Sequence, residues 1–388
     1  MSLWYKTLLI LGLMSGLQSC NMVDDYMLGK DNTPAPAPLE KIKPEFSLSE
    51  KWRSSVSVAK KGDPFLKIKP VAVGDKLYTA SNAGIIQAVS KQDGKVIWSQ
   101  QLPTGIVSGP TVGIGLIIVS TDKSSVVALN ENTGKVMWQH QVSGDVLSKP
   151  VIYRDKIIVK TIDGNVYALS FSTGEKLWLA AHGSPHIILK ASSSPVLMHD
   201  NVLLVGFSDG KLDAIDANTG NVMWSRAMAY AMGSSDVERL VDIDSDPIIE
   251  GNTVYLAGYQ GSIGALSLQD GNFIWKKPAS TFKNITIKGN ALYMTDSNDV
   301  VWSYDKNTGQ VLWKQEDLKA RGLTEPVMWG NRVVLGDKFG YIHVLAADNG
   351  KIMTRAEVPG PVIQAPVLSS NTLYVQSANG QLIRLAVG

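Results

Sequence analysis

The sequence predicts an all-β chain closed into an eight-bladed propeller, and three observations carry that expectation. A Gly-x-x-x-Trp phrase returns every 38 to 51 residues, a phrase built around alanine precedes it, and a strand at the amino end matches one missing at the carboxyl end. Spacing of roughly 40 residues in an all-β pattern corresponds to one four-stranded blade per unit.

The phrase runs from Gly94 to Trp98, Gly134 to Trp138, Gly174 to Trp178, Gly220 to Trp224, Gly271 to Trp275 and Gly309 to Trp313; after Gly350 the tryptophan is replaced by Thr354. Trp52 stands alone before them. The second unit shows the reading strand by strand. Pro110 opens the innermost strand, residues 116–120 form the next, residues 124–129 alternate with period two, a turn falls at Asn132-Thr133-Gly134, and residues 135–141 form the outer strand with its tryptophan. Glycine suits that turn because a tight hairpin needs positive φ. The third-strand phrase Gly-x-Ile/Val/Leu-x-Ala-Leu/Ile/Val recurs from Gly84, Gly164, Gly210 and Gly261, its alanine suiting close sheet packing.

After its last full unit the chain supplies only three strands, near residues 362–368, 373–376 and 380–386. The missing fourth is supplied by residues 48–56 around Trp52. Joining the two ends completes an eighth blade and removes edges that would template aggregation. Tryptophans at one position in nearly every unit are what inter-blade packing requires, since each indole buries roughly 200 Å² and can place its N–H on a carbonyl; they are not read as a ligand platform.

The composition is globular, with 44% hydrophobic and 19% charged residues, and a formal net charge of +2 gives no electrostatic case for nucleic acid. Cys20 is the single cysteine, so no intramolecular disulfide can form. Residues 1–19 read as a signal peptide, with Lys6 as its basic region and residues 8–17 as an apolar stretch too short to span a bilayer. Leu17-Gln18-Ser19-Cys20 resembles a bacterial lipobox, which implies lipidation at Cys20; in the sorting rule that accompanies the resemblance, Asn21 directs the protein to the outer membrane, facing the periplasm. Residues 20–47, with Pro34-Ala35-Pro36-Ala37-Pro38, are expected to be an extended tether, and residues 48–388 a single propeller domain.

Catalytic chemistry has no visible signature. His140, His182, His186, His199 and His343 lack the partners or spacing of a metal site, and no nucleophile elbow, phosphate loop or dinucleotide fingerprint occurs in a strand-to-helix setting. The acidic run from Asp242 to Asp246 lacks the central glycine and terminal glutamate of a calcium loop; with Pro247 following, it suits the opening of an innermost strand. Neither cofactor nor metal is expected.

Two connections depart from the repeat. From outer-strand tryptophan to inner-strand proline takes twelve residues at Trp98–Pro110 and at Trp138–Pro150, but seventeen at Trp178–Pro195 and twenty-three at Trp224–Pro247. Such crossings emerge on one face of a propeller, so the two insertions should be neighbours there, forming a candidate site. Charged Lys190, Arg239, Asp242 and Asp244 point to a protein interface, whereas Ile188, Leu240 and Ile243 suit either an interface core or packing against the rim. Reversing the acids, Asp242→Lys with Asp244→Lys, is expected to weaken partner binding and leave the fold intact. The junction from Trp52 to Pro70, eighteen residues long, is expected far around the ring from both.

With a lipobox, a proline-bearing tether and about 330 residues of tryptophan repeats, the chain resembles the BamB family, propeller lipoproteins of the Gram-negative β-barrel assembly machinery with quinoprotein-like repeats. Glu238-Arg239-Leu240-x-Asp242-Ile243-Asp244-x-x-Pro247 is similar to that family's acidic loop, and Ile187-x-Leu189-Lys190 to its leucine-x-leucine-arginine phrase; Lys190 keeps the charge of that arginine without its bidentate fork. The resemblance implies a non-enzymatic scaffold in which Ile187, Leu189, Lys190, Arg239, Asp242 and Asp244 contact the POTRA region of BamA, the barrel-forming subunit, and in which BamA or incoming barrel precursors are held without bond chemistry. Two rivals are a pyrroloquinoline-quinone dehydrogenase, which uses related blades but is typically longer and often carries an adjacent-cysteine disulfide, and a glycan-binding propeller with aromatics on one rim.

Overall fold

The computed structural model describes residues 34–56, 66–183, 192–198, 201–227, 242–269 and 271–388. Cys20, Ile187, Leu189, Lys190 and Arg239 lie outside the described residues. Within the compact unit Ala37–Gly388 the described strands form eight sheets, seven with four strands and one with five. Seven of them are built on an antiparallel meander in chain order, as the strand reading anticipated: the second blade runs through Ile106–Gly113, Leu116–Thr121, Ser125–Asn130 and Val136–Gln141.

The eighth blade closes the ring. Leu48–Ser55 pairs antiparallel with Gln381–Val387, whose other edge pairs with Thr372–Gln376 and through it Val367–Ser369. First and last segments of the chain are thereby hydrogen-bonded to each other.

Tryptophan and alanine do the inter-blade work together. In the pairing of third and fourth strands Ala88 faces Trp98, Ala128 faces Trp138, Ala168 faces Trp178, Ala214 faces Trp224 and Ala265 faces Trp275. Each of these alanines is fully buried. The indoles reach the next blade: Trp98 Nε1 donates to Glu131 O at 3.2 Å, Trp138 Nε1 to Phe171 O at 3.0 Å, and Trp313 Nε1 to Ala347 O at 2.9 Å. Their rings lie on that blade's turn glycine, so a Cβ on Gly134 would sit 2.5 Å from Trp98 Cε3. Glycine is therefore required at that turn twice, for its φ of 71° and for the ring above it.

Thr354 replaces tryptophan where its receiver is missing. The eighth blade joins its third and fourth strands from opposite chain ends and so has no hairpin to receive an indole. Instead Thr354 Oγ1 donates to Phe46 O at 2.7 Å, and Phe46 packs edge-on against Trp329 with ring centroids 6.3 Å apart. Residues 37–47, assigned above to the tether, accordingly lie against the seventh blade. Ala37 N donates to Lys319 O, Glu45 N to Met353 O, and Arg321 Nη1 to Ala37 O at 3.0 Å, while Leu39 joins an apolar cluster with Leu318 and Leu323. Burial of Leu39 and Phe46 outweighs the freedom of an extended linker, so the ordered body begins about ten residues earlier than composition suggested.

Every outer strand that carries a tryptophan slips register beside it. In the first blade Val96 pairs with Val89 and Trp98 with Ala88, which leaves Ile97 bulged and half-exposed. A bulge twists an edge strand away from further pairing.

Candidate functional site

The two insertions leave adjacent blades, the third to fourth and the fourth to fifth, and their described roots are bonded to each other. Ser194 N, at the end of the first, donates to Asp246 Oδ1, at the end of the second, at 2.6 Å. Ile243 N reaches Phe207 O at 3.4 Å, and Tyr259 N donates to Asp242 O at 3.0 Å. Ile243, 2% exposed, fills the core between the fourth and fifth blades with Leu204, Leu212, Val254 and Leu256, which makes it a packing residue.

Asp242 and Asp244 are inside the protein, at 5% and 0% exposure. Sequence reasoning put both carboxylates on a surface loop, and the structure corrects that. Residues 242–245 are all buried against the inner sheets, so the acids and Ile243 are drawn inward together. Beneath them lies Lys160, 4% exposed, whose Nζ donates to Gly206 O at 2.6 Å and to Ser193 Oγ at 3.4 Å. Burial pushes the Lys160 ammonium down to about 8 despite the nearby charge of Asp242. Burial likewise raises the Asp242 carboxyl to about 6 against the opposing pull of Lys160. Asp244 is held well above the usual carboxylate range by burial and by the charge of Asp242. Its oxygens find no hydrogen-bond partner among the described residues.

His182, at the start of the first insertion, anchors its other end. Its ring stacks on Phe207 at 3.8 Å and 7°, Nδ1 lies 2.7 Å from Asp213 Oδ2, and Nε2 lies 3.1 Å from Asp209 Oδ2. Burial disfavours the imidazolium, but hydrogen bonds and charge from Asp209 and Asp213 outweigh it and lift His182 to about 9. A group whose folded pKa is raised contributes stability that is full below its unfolded value of 6.5 and is lost as pH rises through about 9. His182→Phe keeps the stack and loses both ion pairs. It is expected to cost roughly 3 kcal/mol at pH 6 and much less at pH 9.5, as read from denaturant unfolding at the two pH values; an equal cost at both would contradict a charged anchor.

A third connection joins these roots. Residues 66–69, from the closure junction expected far around the ring, instead cross the central opening. Lys67-Ile68 forms a two-residue parallel strand beside the innermost strand of the second blade, the fifth strand of that sheet. Lys67 Nζ pairs with Asp246 Oδ1 at 2.6 Å, Lys69 Nζ with Glu325 Oε1 at 2.8 Å, and Gln364 Nε2 donates to Leu66 O at 2.7 Å. Charge and hydrogen bonds from Lys67, with Ser194 N, hold Asp246 below the usual carboxylate range although burial opposes it. Lys67, Lys160 and His182 were not picked out as site residues from sequence; the unusual length of the Trp52–Pro70 connection was the available signal for the first.

A family model described as outer membrane protein assembly factor BamB matches residues 49–142, 82–315 and 298–387. The chain is similar to the outer membrane protein assembly factor BamB of Legionella pneumophila (strain Paris), 57% identical over 380 residues that cover 98% of this chain and 99% of the relative. Among solved structures, BamB from Moraxella catarrhalis superposes with a TM-score of 0.80 at 27% identity, covering 88% of this chain and 100% of that one. A europium-containing methanol dehydrogenase also superposes, with a TM-score of 0.73 over 87% of this chain and 93% of that one, but at 14% identity the likeness concerns the fold alone.

Proposed function

The chain belongs to the family of outer membrane protein assembly factor BamB, and from that premise we propose that its two inserted crossings form the surface that holds the POTRA region of BamA. It is an outer-membrane protein assembly factor and not an enzyme. The observation that supports the surface is the bonding of the insertion roots to one another, Ser194 to Asp246, over a common charged base of Lys160, Lys67 and Asp242. Two loops with shared foundations present their tips as one patch. Ile187 and Leu189 supply its apolar centre and Lys190 and Arg239 its charged rim, the composition of a protein interface. Asp242 and Asp244 serve it from below by fixing the second loop.

In this reading residues 1–19 are removed and Cys20 carries the lipid that anchors the protein to the outer membrane, facing the periplasm. BamA or incoming barrel precursors are positioned by binding energy alone.

Lys190→Glu combined with Arg239→Glu tests the rim. Recovery of BamA with the affinity-tagged variant from solubilised membranes is expected to fall about tenfold with an unchanged melting temperature, in line with the worth of charged contacts at an interface. Recovery equal to the parent would reject these insertions as the contact.

A further inference from the structure

Where residues 66–69 cross the centre, they leave a cavity of 770 Å³ beside them. Its walls are largely apolar: Leu66, Phe282, Leu323, Ile363, Val367 and Leu368 contribute to them. Five lysines line it, Lys67, Lys69, Lys149, Lys283 and Lys338, against three acids, Asp246, Asp299 and Glu325. Each acid is already engaged. Lys67 holds Asp246, Lys69 holds Glu325, and Lys283 pairs with Asp299 at 2.7 Å. Lys149 and Lys338 are left without a carboxylate partner among the described residues.

Lys149 is the more constrained of the two. It stands at the opening of the third blade's inner strand, its backbone N–H fixed on Ser194 Oγ at 2.9 Å. Desolvation by the surrounding protein, with the charge of Lys69 and a lesser one from Lys67, lowers its ammonium from the ordinary value, and the opposing pull of Asp246 and Glu325 does not restore it. A cation disfavoured in this way gains from an incoming anion. The volume falls in the range of small-molecule sites, which combine apolar walls with a few convergent polar groups.

We propose that this central cavity is a binding site for a small organic anion, a carboxylate, sulfonate or phosphate carried on an apolar body, with Lys149 and Lys338 as its charge partners. The anion lies against Lys149 and the body against Phe282 and Ile363. The test of this site does not depend on BamA.

The probe is 8-anilinonaphthalene-1-sulfonate, titrated into the folded full-length protein at fixed ionic strength and followed by fluorescence. Neutral N-phenyl-1-naphthylamine serves as the uncharged control. Saturable binding of one anilinonaphthalene sulfonate per chain is expected, weakened about tenfold in Lys149→Glu, retained in Lys149→Arg, and displaced by octanoate. The neutral probe should not distinguish the variants. Equal sulfonate affinity in the parent and Lys149→Glu would overturn the proposal, as would binding that octanoate cannot displace, because the half-exposed apolar residues of the outer rim would then be the site. Near-UV circular dichroism verifies that each variant is folded, and Lys338→Glu, with the same expected loss, provides the second reading if Lys149→Glu is not.

Discussion

Replacing Asp242 and Asp244 together by lysine is expected to destabilise the protein by about 4 kcal/mol, with loss of BamA recovery following from that damage. Both positions are buried, and burial raises both carboxyls and lowers the Lys160 ammonium beside them. Two lysines in their place would put three ammonium groups into one enclosed site whose neighbouring carboxylates, Asp246 and Asp209, are already paired with Lys67 and with His182 and Lys211. Desolvation and like-charge repulsion then act in the same direction. Asp244→Asn is the informative partner, because it keeps the size and shape of the side chain at a position where burial disfavours the charge. That variant is expected to stay within about 1 kcal/mol of the parent in urea unfolding and to recover BamA normally. A double lysine variant that unfolds like the parent yet fails to recover BamA would contradict this picture and return the acids to the surface.

Gly134→Ala is expected to cost about 3 kcal/mol, whereas Gly115→Ala should cost only about 1 kcal/mol. The two glycines share a positive φ, 71° and 80°, so the backbone strain of an alanine is common to both. They differ in what the methyl group meets. At Gly115 nothing lies within 4 Å, whereas at Gly134 the ring of Trp98 occupies the space. That ring cannot retreat cheaply, since its N–H is held on Glu131 O and it packs against Tyr78 with centroids 6.2 Å apart. Chemical denaturation of the two variants separates turn geometry from inter-blade docking; equal costs would mean that the indole does not set the requirement for glycine.

Blade number and closure were legible because a repeated Trp and Gly impose the same packing at each junction, and one phrase repeated along the chain exposes a rule that a single occurrence would hide. The same rule makes Thr354 readable in retrospect as the indole without a receiving turn. Depth was less legible. Asp242 and Asp244 alternate with Ile243 as a surface loop would, and nothing local in the sequence announces Lys160, eighty residues earlier, as the charge that allows them to be buried. The two-residue parallel strand of Lys67 and Ile68 is too short to show a period, and the docking of residues 37–47 rests on Leu39 and Phe46, two apolar side chains in a short, charged, proline-bearing stretch. Long-range partners of this kind leave no spacing to read.

Photo-crosslinking from the insertion tips tests the docking surface most directly. A benzophenone amino acid placed in turn at residues 188 and 240 in the full-length lipoprotein, in cells that contain the whole assembly machinery, is expected to capture BamA. The same group at residue 97, on the bulged outer edge of the first blade, is expected not to. Capture of BamA from residue 97 with none from 188 or 240 would contradict the account.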